Sequence, residues 1–186
     1  MRKFTITNCA LNRNKASHSG AGGVYCDSLS SAKISNCIIW GNSDFELYGS
    51  LVVAYSNVQG GWPGVGNIDE YPLFAEFEDD DDVTNDYHLK SQAGRWDANE
   101  ERWTIDDVTS PCIDAGDPMS PIGDEPFPNG GIINMGAYGG TTEASKSYFG
   151  EPPCETVVAG DINGDCEVNF EDFRLMALHW CEDYNL

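Results

Sequence analysis

The sequence is poor in basic residues and has no long apolar run. Its 186 residues include 31 Asp and Glu against 10 Lys and Arg, which gives a formal net charge of −21. This charge disfavours binding to nucleic acid or to an anionic membrane surface, because both are themselves negative. No apolar run is long enough to span a bilayer, and the start at Met1 lacks the apolar core of a signal peptide. If the protein is secreted, we therefore expect this chain to be the C-terminal part of a longer product.

The seven cysteines form neither a C-x-x-C pair nor the Cys/His spacing of a zinc site. Three lie within strand-like apolar runs, where we expect buried thiols: Cys9, Cys26 and Cys37. Another three bracket an acidic segment near the end of the chain and can supply one disulfide: Cys154, Cys166 and Cys181. Their spacing does not decide which pair forms.

That acidic segment, from Asp161 to Asp172, has the ligand spacing of a calcium loop. Side-chain oxygens fall at loop positions 1, 3, 5, 9 and 12, and position 7 offers a backbone carbonyl. The predicted metal ligands are Asp161, Asn163, Asp165, Glu167, Asn169 and Asp172. Ca²⁺ takes roughly six to eight oxygen ligands, which this set and water can provide. An acidic turn before a surface helix is the alternative, but such turns seldom match all five side-chain positions, so the spacing favours calcium.

A helix should follow the loop. Apolar residues recur there at i, i+3, i+4 and i+7 and would form one stripe: Phe173, Met176, Ala177 and Trp180. Asp172 would lie in the first turn, where a carboxylate also interacts favourably with the helix dipole.

Residues 159–181 resemble a type I dockerin repeat, the loop-plus-helix half of an EF-hand that docks onto cohesins. The resemblance implies a calcium-stabilised module with a cohesin-like or cell-surface protein partner. Cys166 stands where the loop usually has glycine, and Phe170 and Glu171 replace the small hydroxyl pair often used for cohesin contact. Dockerins also carry two repeats, and only one is found here. Calcium binding is therefore a firmer expectation than cohesin binding.

The first third of the chain contains an internal repeat. Phe4 begins F-T-I-T-N-C-A-L-N-R-N, Ala32 begins A-K-I-S-N-C-I-I-W-G-N, and Val53 begins V-A-Y-S-N-V-Q-G-G. The three S/T-N steps place Asn8, Asn36 and Asn57 at intervals of 28 and 21 residues. Such periods predict a solenoid of β coils, with asparagines at left-handed corners and in a hydrogen-bonded ladder. A dry core would take Ile6, Ile34, Ile38 and Val58. A β-sandwich is the competing arrangement.

These repeats resemble the right-handed parallel β-helix of the pectate lyase-like group, over residues 4–74. The resemblance implies a fold rather than an activity, since that group contains polysaccharide lyases, hydrolases, adhesins and passive surface proteins. Two or three coils should not fold alone, because each coil buries its faces only against its neighbours.

Residues 110–140 resemble the segments that close the C-terminal end of many bacterial β-helix surface proteins. The matching stretches are S-P-C-I-D-A-G-D-P from Ser110 and N-M-G-A-Y-G-G from Asn134, where the family often has an acidic residue near Asn134–Met135. Asp114 and Asp117 are predicted to build an Asx turn that caps the open end of the solenoid. A catalytic pair formed by these two carboxylates is the alternative.

The segment between the repeat and the cap carries fewer signals. Residues 62–74 predict a turn and a short edge segment, and the run from Glu76 to Asp82 predicts a solvated loop, with a second calcium site as the alternative. Residues 86–91 alternate like a strand, with Tyr87 and Leu89 on one face and an exposed His88 on the other.

The predicted fold is mainly β: a right-handed parallel β-helix end with an irregular β cap, plus a small loop-helix calcium module of dockerin or EF-hand type. We divide the chain into β-helix coils at 1–74, a C-terminal β cap region at 75–144, a linker at 145–158 and the dockerin-like module at 159–186.

The favoured function is a non-catalytic region of a secreted protein, at the cell surface or outside the cell, that docks through Ca²⁺ and binds polysaccharide. The alternative is a fragment of a polysaccharide lyase or glycoside hydrolase whose catalytic coils are missing. The charged candidates in residues 4–61 reduce to Asp27, Lys33, Asp44 and Glu46, and Trp40 and Trp62 could stack on sugar rings.

Overall fold

The computed structural model describes residues 2–17, 20–77, 85–148, 160, 162 and 168–179. Within them the protein is mainly β, with parallel sheets and no closed barrel. The strands are β1 (Arg2–Thr7), β2 (Ala10–Asn12), β3 (Ala21–Tyr25), β4 (Ser30–Ser35), β5 (Ile38–Trp40), β6 (Phe45–Tyr48), β7 (Leu51–Ala54), β8 (Asn57–Val58), β9 (Arg95–Asp97) and β10 (Arg102–Thr104). The described helix is α1 (Phe170–His179).

Three parallel sheets collect equivalent strands from successive repeats, in the orders β1-β4-β7, β2-β5-β8 and β3-β6. Ile34 pairs with Ile6, 28 residues earlier, and with Val53, 19 residues later. The first predicted interval is therefore confirmed and the second, of 21 residues, is wrong. Asn57 pairs with Ile38 on the neighbouring sheet rather than lying next to Asn36. The Ser56–Asn57 pair has the same sequence as the corner at Ser35–Asn36 but lies two residues after the equivalent position, which is Tyr55.

The corner next to Asn36 is occupied in the third repeat by Tyr55. Asn8, Asn36 and Tyr55 have φ values of 50°, 54° and 48°, in the left-handed region that asparagine tolerates better than most residues. Asn36 Nδ2 donates to Asn8 Oδ1 at 3.2 Å, so the predicted ladder exists between the first two repeats. A tyrosine side chain cannot extend it.

One apolar cluster lies among the three sheets and draws on all of them. Its buried members are Cys26, Ala32, Ile34, Cys37, Ile39, Leu47, Val53 and Val58. The expected burial of the Cys26 and Cys37 thiols is confirmed, whereas Cys9 is half-buried. Ile6 is also half-buried, at the edge of this cluster. We call residues 2–17 and 20–70, which surround the cluster, the β body.

A second apolar cluster joins the β body to the irregular segment that follows it. Ile38, predicted for the solenoid interior, packs here instead, with Phe74, Leu89, Cys112, Ile113 and Met135. We call residues 71–77 and 85–148 the cap. Asn8 Nδ2 donates to Gly139 O at 2.8 Å, and Gly136 N donates to Asn36 O at 2.9 Å. The cap thus lies along the asparagine corner of the β body, and not only across its end as predicted.

Other parts of the cap also differ from expectation. The predicted strand at 86–91 forms an isolated antiparallel bridge between Leu89 and Phe74, and the β9–β10 hairpin was not foreseen. Residues 145–148, predicted as the start of the linker, belong to the cap: Ser145 Oγ donates to Leu89 O at 2.6 Å and Lys146 N to Gly94 O at 2.8 Å. Residues 149–158 lie outside the described residues.

The predicted helix after the acidic loop is present as α1, and its first turn contains Asp172. The expected apolar stripe is on the surface in the described part of the chain, where Phe173 is 57% and Met176 39% exposed. Trp180 lies outside the described residues.

Candidate functional site

The β body carries a cleft of about 400 Å³ next to the end of β6. Its lining residues come from β6, β8 and the turns beside them: Asn42, Asp44, Phe45, Glu46, Leu47, Val58, Gln59, Gly60, Gly61 and Trp62. Leu47 and Val58 belong to the buried core, so the cleft floor is apolar, whereas the rim offers amide and carboxylate groups.

The turns that form the rim are held by hydrogen bonds to the rest of the β body. Gln59 Oε1 accepts from Gly41 N at 2.7 Å, and Asp69 Oδ1 accepts from Gly60 N at 3.0 Å. Gly60 and Gly61 have φ values of 80° and 76°, which allow the sharp turn leading to Trp62. Trp62 is half-buried and packs against the first apolar cluster, so its position is fixed before any ligand binds.

Glu46 is the half-buried carboxylate of the cleft. Its Oε1 accepts from Asn42 N at 3.0 Å, and its Oε2 accepts from the Asn42 side chain. Asn42 in turn donates to Leu11 O at 2.8 Å and accepts from Asn14 N at 2.9 Å. Burial raises the pKa of Glu46, although the hydrogen bonds from Asn42 oppose the rise. Both carboxylate oxygens therefore help to hold the Asn42 corner.

A row of exposed aromatic side chains continues from the cleft along the β3–β6 sheet. Phe45, at the cleft, is 61% exposed and its ring centroid lies 6.5 Å from that of Tyr48. The Tyr48 ring stacks on Tyr25 at 5.5 Å and an interplanar angle of 3°. Aromatic edges and faces of this kind bind apolar faces of partly polar ligands.

The structure separates the charged residues that the sequence offered for catalysis. Asp44 and Glu46 reach the cleft. Asp27 Oδ1 accepts from Leu29 N at 2.9 Å in a turn, and Lys33 is exposed on β4. Of the two tryptophans considered for sugar stacking, Trp62 lines the cleft, whereas Trp40 packs edge-on against Tyr71 at 6.1 Å.

The predicted calcium loop falls largely outside the described residues. Asp161, Asn163, Asp165 and Glu167 lie outside them, as do residues 78–82 of the acidic run and three cysteines, Cys154, Cys166 and Cys181. Asn169 and Asp172 are described. Asp172 is 2% exposed, and its oxygens accept from Ile162 N and Asn169 N, each at 2.7 Å. Carboxylate and amide oxygens of this kind fit a hard cation. Asn169 is the N-cap of α1, since its Oδ1 accepts from Glu171 N at 2.7 Å, and Asp172 reaches back to Asn169 N as in a capping box.

A buried histidine network in the cap was missed by the sequence reasoning, which expected His88 to be exposed. His88 is fully buried, with Nδ1 2.5 Å from Asp86 Oδ1, and its ring stacks on Tyr138 at 3.5 Å. Arg95 NH1 lies 3.5 Å from Asp86 and Arg95 Nε 3.2 Å from Asp106. The D-x-H spacing was the available signal. These contacts tie separate segments of the cap together.

Within the cap, the predicted turn at Asp117 is confirmed, because its Oδ1 accepts from Met119 N at 2.9 Å. Asp114 plays a different part: its Oδ1 accepts from Gly130 N at 3.2 Å. Asn134, 1% exposed, accepts from Asp114 N at 2.8 Å and donates to Ser145 O at 2.7 Å. Glu125, which sequence reasoning overlooked, is 8% exposed and accepts from Asn134 N at 2.8 Å. The cap is thus joined internally by buried polar side chains.

Among the described residues, no group of three or more His, Cys, Asp or Glu side chains is arranged to hold a metal ion. No helix in the described part of the chain has the length and apolarity needed to cross a bilayer.

The fold and cleft define a mainly β protein whose repeats form parallel sheets. The family model described as "disaggregatase related" matches residues 2–116, and the chain belongs to this family. The match covers the β body and the first part of the cap. The chain matches no curated protein and no solved structure.

Proposed function

We propose that this chain is a non-catalytic binding region of a secreted, right-handed parallel β-helix protein, and that it binds a neutral polysaccharide in the cleft beside Trp62. The fold proposal is supported by three parallel sheets that surround one apolar cluster and by left-handed corners at equivalent positions. The binding proposal rests chiefly on the cleft.

The cleft has the chemistry that a sugar chain requires. Sugar rings present C–H faces that pack on aromatic rings, and hydroxyl groups that exchange hydrogen bonds with amides and carboxylates. Trp62 and Phe45 supply the rings, and Asn42, Gln59 and Asp44 line the polar side. The exposed row through Tyr48 could extend contact beyond the cleft.

The charge of the protein selects among polysaccharides. A formal net charge of −21 and two carboxylates in the cleft repel uronate or sulfate groups. A neutral polysaccharide pays no such electrostatic penalty. We therefore propose a neutral polysaccharide as the ligand of a protein that lies outside the cell or at its surface.

A polysaccharide lyase or glycoside hydrolase is the second candidate, and the observation that favours it is the presence of Asp44 and Glu46 in one cleft. A raised pKa suits a general acid, and burial raises that of Glu46. However, both oxygens of Glu46 already accept hydrogen bonds from Asn42. A carboxylate engaged in this way is better explained as part of the scaffold.

The acidic segment at 161–172 supports a further part of the proposal, a calcium-stabilised dockerin-like module that anchors the protein to a cohesin-like or cell-surface partner. Its ligands would be the six predicted residues, of which Asn169 and Asp172 are described at the start of α1. Ca²⁺ would supply charge neutralisation that lets the acidic side chains approach one another. Because Phe170 and Glu171 replace the small hydroxyl pair often used for cohesin contact, we expect weak or no binding to a type I cohesin.

Affinity electrophoresis in gels that contain hydroxyethylcellulose, mixed-linkage β-glucan or polygalacturonate tests polysaccharide binding. We expect retardation by at least one neutral polymer and none by polygalacturonate. Phe45→Ala and Trp62→Phe should weaken binding about fivefold each, the effect of losing roughly 1 kcal/mol of ring contact. Phe4→Ala is the matched control, because Phe4 is 52% exposed and does not line the cleft.

Two results would contradict the proposal. Unchanged retardation of both cleft variants would mean that the cleft is not the binding site. Release of reducing or unsaturated ends from any of the polymers, abolished by Asp44→Asn, would replace the binding function with the enzymatic one.

A further inference from the structure

Two cysteines occupy equivalent positions in the first two repeats, directly after the asparagine corners. Strand β1 pairs with β4, and β2 with β5, at one constant offset of 28 residues. The same offset brings Cys9 opposite Cys37. On one side of this pair Asn8 N donates to Ser35 O at 3.3 Å, and on the other side Ile38 N donates to Cys9 O at 2.9 Å. The two backbones are therefore in direct contact where the thiols project.

The two thiols point the same way and lie beside the same stretch of β1. Cys9 Sγ donates to Thr7 O at 3.1 Å, and Cys37 Sγ donates to Ser35 O at 3.1 Å, so each thiol bonds the carbonyl two residues before it. Cys37 Sγ also lies 3.7 Å from Ile6 O on the neighbouring repeat. Because Ile6 and Thr7 are consecutive, the Cys37 sulfur leans towards the repeat that carries the Cys9 sulfur.

The spacing of paired strands suits a covalent link between these sulfurs. Residues opposite each other in neighbouring strands have Cα atoms about 4.8 Å apart, inside the span of roughly 4.4–6.8 Å that disulfides bridge. The Cβ atoms must approach within about 4.5 Å, slightly less than the strand spacing. Both β1 and β2 are edge strands of their sheets, and Cys9 is half-buried between them. The Cys9 side of the pair can therefore move by the small distance that a bond requires.

We propose that Cys9 and Cys37 form a disulfide that joins the first two repeats, with a small-molecule disulfide such as oxidised glutathione as the oxidant. Cys9, the more exposed thiol, loses its proton and attacks one glutathione sulfur, and one glutathione thiol leaves. Cys37 then loses its proton and attacks Cys9 Sγ, and the second glutathione thiol leaves. Two electrons and two protons thus pass from the cysteines to glutathione. Burial raises the pKa of the Cys37 thiol to about 12, so the second step should be the slower one.

Such a bond would fasten the repeat that is least covered by its neighbours. Phe4 pairs with Ala32 of the first apolar cluster, yet Phe4 is 52% exposed whereas Ala32 is 4% exposed. The first repeat therefore covers the cluster without being covered itself, and edge segments of this kind open most easily. A disulfide across one 28-residue interval also closes a loop in the unfolded chain, which lowers its entropy. Oxidation should thus stabilise this end of the β body.

The test uses the full chain with three thiols removed by Cys154→Ser, Cys166→Ser and Cys181→Ser. The protein is treated with oxidised glutathione at pH 8, alkylated, and digested with trypsin without reduction. Cleavage after lysine and arginine leaves Cys9 in peptide 4–13, Cys26 in peptide 16–33 and Cys37 in peptide 34–90, each as the single cysteine of its peptide. We expect peptide 4–13 linked to peptide 34–90. The oxidised protein should have a Tm about 5 °C or more above that of the reduced protein.

Control variants separate this bond from other effects of oxidation. Cys9→Ser should remove the difference in Tm between oxidised and reduced protein. Cys26→Ser should keep it, because Cys26 belongs to the same apolar cluster but has Gly49 opposite it, one residue after the pairing of Tyr25 with Tyr48.

A second sample is unfolded in urea and refolded in mixed reduced and oxidised glutathione, so that both thiols meet the oxidant before the first repeat closes. The proposal is overturned if Cys9 is recovered as a free thiol or a glutathione adduct, without a link to Cys37, after both treatments. It is also overturned if Cys26 links to Cys9 as often as Cys37 does, or if the link forms and Tm does not rise. None of these results depends on polysaccharide binding.

Discussion

Replacing Asn36 should detach the cap from the β body. Asn36 is 2% exposed, and its Oδ1 accepts from Asp117 N at 2.7 Å. Its Nδ2 donates to Asn8 Oδ1 and to Ser120 Oγ, both at 3.2 Å. One side chain therefore joins two repeats of the β body to the turn at Asp117 in the cap.

The cost of Asn36→Ala can be worked out from these contacts. Three hydrogen bonds at about 1 kcal/mol each are lost, and water can replace the acceptor of Asp117 N because Asp117 is only half-buried. The φ of 54° adds about 1 kcal/mol of strain for alanine. The expected loss in free energy of unfolding is about 4 kcal/mol, a large part of the roughly 5–15 kcal/mol that stabilises a typical domain.

Urea denaturation followed by tryptophan fluorescence measures this loss. With a slope near 2 kcal/mol/M, the midpoint should fall by about 2 M. Asn36→Gly tolerates the left-handed backbone and should lose about 1 kcal/mol less, while the exposed Asn99→Ala should change the midpoint little. If Asn36→Ala costs less than about 1 kcal/mol, or Asn36→Gly restores full stability, the hydrogen bonds to the cap do not carry the attachment.

Three other predictions concern groups elsewhere in the chain. Burial raises the thiol pKa of Cys37 to about 12 and of Cys112 to about 11, so neither should react with iodoacetamide at pH 7.5 until the protein unfolds, as peptide mass mapping can show. Burial raises the pKa of Asp86, but hydrogen bonds from His88 outweigh it and the net shift is downward. The stability that Asp86 contributes is therefore full above its unfolded pKa of about 4 and is lost as pH falls through the lower folded value. Asp86→Asn should flatten the acid limb of the Tm profile, and an unchanged limb would refute this origin. Asp172→Ala removes the acceptor of Ile162 N and Asn169 N, so far-ultraviolet circular dichroism should show less helix; identical spectra would contradict that role.

The β body was the most predictable part of the molecule because its signals are local and repeated. The interval between Asn8 and Asn36 gave the correct pairing of the first two repeats, and the buried thiols of Cys26 and Cys37 followed from their apolar surroundings. The predicted register of the third repeat was wrong because Ser56–Asn57 has the sequence of the corner but lies two residues after it. Sequence similarity alone does not determine strand register, because the register depends on which side chains are buried.

The cap and the cleft were less predictable because their contacts join distant residues. His88 is paired and stacked through neighbours, including Tyr138, that a local alternation pattern cannot reveal. Ile38 also has an apolar pattern consistent with the solenoid interior, yet it packs against the cap. For the cleft, the sequence supplied Trp62, Asp44 and Glu46 as separate candidates but not their shared position.

Many polar side chains are buried in the cap although it has little regular structure. A chain without sheet or helix must still satisfy its buried backbone groups, and here side chains do so. Asn134 Oδ1 serves Asp114 N, and Glu125 serves Asn134 N and Gly140 N. Asn57 of the β body, fully buried, donates across to Cys112 Sγ in the cap at 3.1 Å. Because these bonds are specific in geometry, they orient the cap on the β body more narrowly than apolar contact alone would.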